Sequence, residues 1–117
     1  MFGETAREGR TQGRTVMPEI SSLGELESEP HAEVFETPRP RTVRLALDAD
    51  ERVPPHTHPG QDIVLHLVEG RVELTLDDET FELRPGELAR FGGDCEISPR
   101  AVEPSTAVVV FAPADDD

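Results

Sequence analysis

The sequence contains no tryptophan, no tyrosine and no lysine, and it has a single cysteine. With only five phenylalanines as aromatic residues, valine and leucine must build the core. Cys95 alone can form neither an internal disulfide nor an all-cysteine metal site. No apolar run approaches the roughly 20 residues needed to span a bilayer. The N-terminal residues lack the apolar centre of a signal peptide, so the expectation is a soluble cytoplasmic protein. All 11 basic residues are arginine, and 25 acidic residues bring the formal net charge to -14. Such a surface repels phosphate backbones, which argues against nucleic acid and anionic membrane as partners. Acid excess without lysine is also a compositional trait of salt-loving microbes, where ions screen the self-repulsion. Ser-His-Asp arrangements, CxxC pairs and phosphate-binding glycine loops are missing as well; "PGELARFGG" lacks the Lys-Ser/Thr that a phosphate loop requires.

What is present fits one domain with one core. Residues 1–30 are rich in Gly, Arg, Glu, Ser and Thr and read as a flexible arm, because they offer little apolar area against the entropy of ordering them. Within that arm, "MPEISSLGELE" offers Ile20, Leu23 and Leu26 for docking on the domain or on a partner subunit. The domain proper is expected over residues 31–113, with an acidic tail at 114–117. From His31 onward the chain reads as short strands broken by turns. "TVRLALDAD" places Val43, Leu45 and Leu47 on one face, while "DIVLHLVEG" is apolar on both. "RVELTLDDETFEL" predicts a hairpin, with Val72, Leu74 and Leu76 on one side and alternation resuming at Phe81 and Leu83. A Pro85-Gly86 turn precedes another strand, and "STAVVVFAP" supplies the last. Repeated short strands with Gly and Pro punctuation predict an all-β sandwich or barrel.

Three of the four histidines fall between Val53 and Leu74. In an extended backbone His56 and His58 leave the same face and can reach one ion. Neutral imidazole suits Zn, Fe, Ni, Cu and Mn, and Asp62 is the nearest carboxylate on the C-terminal side. His66 shares its parity with Asp62 and is a further candidate, although a core or interface histidine explains it equally. The competing reading of "HTHPGQD" is a polar turn that happens to carry imidazoles. His31, at the edge of the arm, receives no role. Cys95 reads as a small buried hydrophobe.

The segment "PPHTHPGQDIVLHLVEG", set among short strands, resembles the first motif of the cupins. That family folds as a small double-stranded β-helix, or jelly-roll barrel. His56, His58 and Gly70 occupy the paired-histidine and closing-glycine places of the motif. In "LRPGELARFGG", Pro85-Gly86-Glu87 is similar to the family's turn before a strand, and Gly93 to the glycine before its last ligand. The resemblance covers roughly residues 40–113. The usual glutamate is missing: Asp62 stands one residue too far from Gly70, so its use requires a bulge. The last histidine is missing too, and Glu96 stands in its place. The resemblance therefore implies a divalent transition metal (Zn, Fe, Mn or Ni) held by His56, His58, Asp62 and Glu96, with His66 as the alternative ligand. It also implies an interior pocket for a small organic molecule, lined by a subset of Val64, Leu74, Leu76, Phe81 and Phe91.

Three functions stay open at this point. One is a metal-dependent enzyme of unassigned reaction, with no catalytic base identified. Another is a non-catalytic ligand-binding or regulatory module. The last is a self-associating structural barrel without metal. A homodimer through "IVLHLV" is compatible with each.

Overall fold

The structure is a computed structural model that describes residues 18–114. Six strands form one antiparallel sheet: β1 (His31–Glu33), β2 (Arg41–Leu47), β3 (Gln61–Leu76), β4 (Glu79–Leu83), β5 (Leu88–Gly92) and β6 (Ile97–Pro113). A single 3-10 turn, Leu23–Glu25, precedes them. The order is β1-β2-β6-β3-β4, with β5 also paired to β3. No helix among the described residues is long and apolar enough to cross a membrane.

Two long strands organise everything else. β3 and β6 pair antiparallel from Gln61↔Pro113 to Leu76↔Ile97, with register shifts between Leu67 and Val72. Their two halves take different outer partners: the first half of β3 pairs with β5, the second with β4. Residues from both halves, such as Ile63 and Leu65 with Leu74 and Ile97, nevertheless share one buried cluster. The sheet is therefore folded over on itself at the irregular stretch, as bulges allow.

Gly70 sits at that fold. Its φ is +95°, and a Cβ there would overlap Ser105 Oγ and the Pro104 carbonyl. The glycine expected to close a strand instead lets one continuous strand bend against the opposing backbone. The Ser105 hydroxyl ties the bend together, accepting from Arg71 N–H at 3.0 Å and donating to the Glu103 carbonyl at 2.7 Å.

The expected closed barrel is not formed. The strand path is open, running from β1 at one end to β4 at the other, and no ladder joins its ends. Segment 51–58 contributes only two isolated bridges, Arg52↔Arg100 and His56↔Ile97. Prolines explain the gap: Pro54, Pro55 and Pro59 have no N–H to give to a ladder.

The alternation expected in β2 holds, with Val43, Leu45 and Leu47 all buried. Its other face is covered rather than exposed. Arg44, 6% accessible, donates from Nη1 to the Leu23 carbonyl at 3.2 Å and from Nη2 to the Ser28 carbonyl at 2.8 Å. Ala46 N–H donates to the Pro30 carbonyl at 2.8 Å. The Glu19 carboxylate accepts the Glu36 N–H at 2.6 Å and the Thr37 N–H at 3.4 Å. Residues 18–30 are thus fastened over β2, with Leu23 and Leu26 half-buried and Ile20 84% exposed. The part of the expected arm at 1–17 and the end of the acidic tail at 115–117 lie outside the described residues.

Candidate functional site

The inward residues of β3 are Ile63, Leu65 and Leu67, each at most 2% accessible. Side chains alternate along a strand, so Asp62, Val64, His66 and Val68 face the other way. "DIVLHLV" is apolar on both faces, and its composition did not show which set would be buried. The bulge that would have turned Asp62 inward is absent at that end: register shifts begin only after Leu67. Asp62 instead pairs with Arg90 at 3.6 Å on the outer face. His66 lies there too, opposite Leu88 on β5 and Val108 on β6.

Glu96 is also turned away. Its neighbour Ile97 points into the core and is 5% accessible, which leaves the Glu96 side chain outward and exposed. Its backbone closes the β3–β4 turn: Glu96 N–H donates to Asp77 Oδ1 at 2.9 Å, and its carbonyl accepts from Asp77 N–H at 2.9 Å. Cys95 packs half-buried against the core, as its parity predicts.

His56 and His58 do come together, with ring centroids 4.9 Å apart and planes perpendicular. The backbone fixes both. His56 is held by a two-way bridge to Ile97, with bonds of 3.1 and 2.8 Å. His58 N–H donates to the Gly93 carbonyl at 2.7 Å, and Gly93 N–H donates to the Gln61 carbonyl at 2.8 Å. Gly93 is in direct contact with the His58 backbone, and a Cβ there would overlap the His58 carbonyl oxygen. This glycine therefore sets the position of His58 instead of preceding a ligand. His56 Nδ1 lies 2.8 Å from the Pro54 carbonyl, which can only accept, so Nδ1 carries the hydrogen.

The expected metal centre is overturned. Among the described residues no group of three or more His, Cys, Asp or Glu side chains is arranged to hold an ion. A site for Zn, Fe, Mn or Ni needs at least three converging protein donors. Here two imidazoles stand together, while Asp62, His66 and Glu96 all leave from other faces.

What the two histidines border is a cavity of about 460 Å³. Its floor is apolar, built by Val43, Leu45, Ile63, Leu65, Val109 and Phe111. Of the lining expected from sequence, Phe91 is present; Val64, Leu74, Leu76 and Phe81 are not in it. Val64 faces outward, Leu74 lies in the core beyond the cavity, and Phe81 is 46% exposed on the edge strand. Two polar residues at the mouth went unrecognised in the sequence, His31 and Arg41. The β1–β2 pairing brings them in, with His31 opposite Leu45 and Glu33 opposite Val43. A three-residue strand leaves too short a pattern to announce itself.

The polar groups form a row along one wall. The Arg41 guanidinium carbon lies 4.9 Å from the Phe111 ring centroid, a cation–π arrangement. His58 packs at 4.8 Å on the same phenylalanine, and His56 follows. Partial desolvation at the cavity, then the neighbouring His56 and Arg41, hold the His58 pKa below its usual value. The same causes in the same order lower His31, with Glu33 and Glu51 opposing them. At neutral pH these two rings are uncharged, and each can offer one donor and one acceptor.

Residues 43–112 match the profile of the family described as Cupin domain. A cupin described as TT1209 from Thermus thermophilus superposes with a TM-score of 0.71 and 29% identity, covering 82% of this chain and 98% of that one. KdgF from Halomonas sp. gives a TM-score of 0.72 and 24% identity over 86% and 98%. The Cnp3 cupin domain of Schizosaccharomyces pombe gives 0.70 and 14% identity over 79% and 67%. No curated protein sequence matches the chain significantly.

Proposed function

Starting from a chain that belongs to the cupin domain family as a small single-domain member, we propose that it binds a small, partly apolar organic molecule in the cavity beneath His56 and His58. The cavity itself carries this reading. At about 460 Å³ it lies within the roughly 300–1,000 Å³ of small-molecule sites, with the usual apolar walls and few convergent polar groups. The floor supplies burial, and the imidazoles at the mouth supply orientation. No residue in the row sits beside a carboxylate that would make it a general base, so binding without turnover is the function put forward.

The test is a titration with two uncharged probes, benzyl alcohol and cyclohexanol, followed by backbone amide NMR shifts. Saturable shifts at Leu45, Ile63, Leu65 and Phe111 are expected, and they should vanish in Val43→Phe, whose ring fills the floor. Shifts absent from these residues, or equally large at Val64 and His66 on the outer face, overturn the reading.

A second reading, association of two copies, has a specific observation in its favour. On the outer face Leu88 is 62% and Val68 39% exposed, beside half-buried Val64, Val108 and Val110. An apolar face on so acidic a protein fits a second copy of the same face better than a charged partner. Sedimentation should give a dimer that Leu88→Glu converts to monomer; a monomeric parent protein refutes it.

A further inference from the structure

The charge around the cavity differs in sign from that of the whole protein. Although the chain carries -14, no Asp or Glu lines this cavity, and its one permanently charged lining residue is Arg41. Resting on the cavity being a ligand site, we propose that its ligand is a carboxylate-bearing molecule with an apolar body, the acid group meeting Arg41 and the body lying on the Val43–Leu45–Ile63–Leu65 floor.

Three features support this assignment. Arg41 is already oriented: its Nε and Nη2 donate to Glu33 Oε2 at 2.9 and 2.8 Å, and the guanidinium lies over Phe111. Both bonds go to a single oxygen of Glu33, and among the described residues Nη1 makes no hydrogen bond. That nitrogen belongs to a group that can only donate, and a planar guanidinium suits a carboxylate better than a neutral acceptor. The imidazoles next in the row extend the polar strip without adding negative charge, since His31 and His58 are neutral at pH 7. Inside a partly apolar cavity the attraction is screened less than on the open surface.

Glu33 opposes the ligand. Its side chain is 54% exposed and that of Arg41 is 44% exposed, so their ion pair is solvated and weak. It positions the guanidinium, yet it also reduces the net field that an incoming carboxylate meets. Removing Glu33 should therefore strengthen acid binding, the reverse of what a purely structural Arg41–Glu33 pair would do.

The experiment uses a matched pair of probes, phenylacetate and phenylacetamide, which share shape and differ in charge. Isothermal titration of the full chain at pH 7 and low salt is expected to show phenylacetate binding about tenfold tighter, the scale of one charge-assisted hydrogen bond. Arg41→Gln should remove the difference between the two, Arg41→Lys should retain part of it, and Glu33→Gln should enlarge it. Added salt should narrow it. Equal affinities for acid and amide, with shifts at the cavity floor, overturn the carboxylate assignment and leave the ligand site standing. No saturable binding of either probe, or of the uncharged alcohols, overturns the ligand site itself. Preference for the acid that survives Arg41→Gln also refutes the proposal, because another cation would then be responsible.

Discussion

Four glycines separate the two ways in which an added methyl group can damage this fold. At Gly24 nothing lies within 4 Å of a built Cβ, and the backbone is in a region open to any residue. At Gly86 the space is equally open but φ is +92°; at Gly70 φ is +95° and the Cβ also overlaps Ser105 and Pro104. At Gly93 only the overlap applies, against the backbone and Cβ of His58. Alanine at Gly24 should be neutral or stabilising by less than about 1 kcal/mol, through the unfolded chain alone. Alanine at Gly86 should cost about 1–2 kcal/mol for the left-handed backbone. At Gly93 the forced displacement should cost about 1–3 kcal/mol. Gly70 bears both penalties and strains the Ser105 hydroxyl bridge, so about 2–5 kcal/mol is expected. For a domain of this size each kcal/mol moves the midpoint by roughly 4–8 °C, so thermal unfolding monitored by circular dichroism resolves the order. The expected ranking of Tm is Gly24→Ala highest, then Gly86→Ala and Gly93→Ala, with Gly70→Ala lowest by about 10 °C or more. If Gly70→Ala melts with Gly86→Ala, the close approach at the bend costs nothing and the account of the folded-over sheet fails. Gly93→Ala carries a second readout, since it should disturb amide shifts at His58 while Gly86→Ala leaves them in place.

Other outcomes follow from the same contacts. His31 and His58 have pKa values held below the ordinary value of about 6.5, so the unfolded chain takes up protons first as pH falls. Their contribution to stability is complete above about pH 6.5 and shrinks as pH drops below it. The urea midpoint should therefore fall on acidification through that window, and the slope should flatten in the His31→Gln/His58→Gln double variant; an unchanged slope would count against the buried-imidazole account. Glu19 is held low by the Glu36 N–H and then Thr37, so it titrates below this window and leaves the slope untouched. Arg44→Met removes two bonds that fasten residues 18–30, leaving the Leu23 and Ser28 carbonyls to water. The loss is expected at about 1–3 kcal/mol, moderated because Arg44 Nε is buried without a partner among the described residues. A glutamate-specific protease should cut faster after Glu25 and Glu27 in this variant, and an equal rate would show that the arginine is not the fastening.

The sequence by itself determined the strand-and-turn order, the burial of Val43, Leu45, Leu47, Val72 and Leu74, and the family, because alternation, Pro-Gly turns and the HTH segment are local signals. It also determined that His56 and His58 stand together, since two positions apart on an extended backbone share a face. Tertiary structure decided which face of "DIVLHLV" turned inward. Both faces are apolar, so only pairing with β5 and β6 could choose, and a one-residue shift would have exchanged Leu65 for His66. That choice sent Asp62 and His66 outward and dissolved the ligand set. The same long-range pairing brought His31 and Arg41 to the cavity mouth, where no local pattern pointed. It also made Gly70 a bend within one strand rather than an end, which kept the sheet open at its edges and left beside it a cavity with a single permanent positive charge.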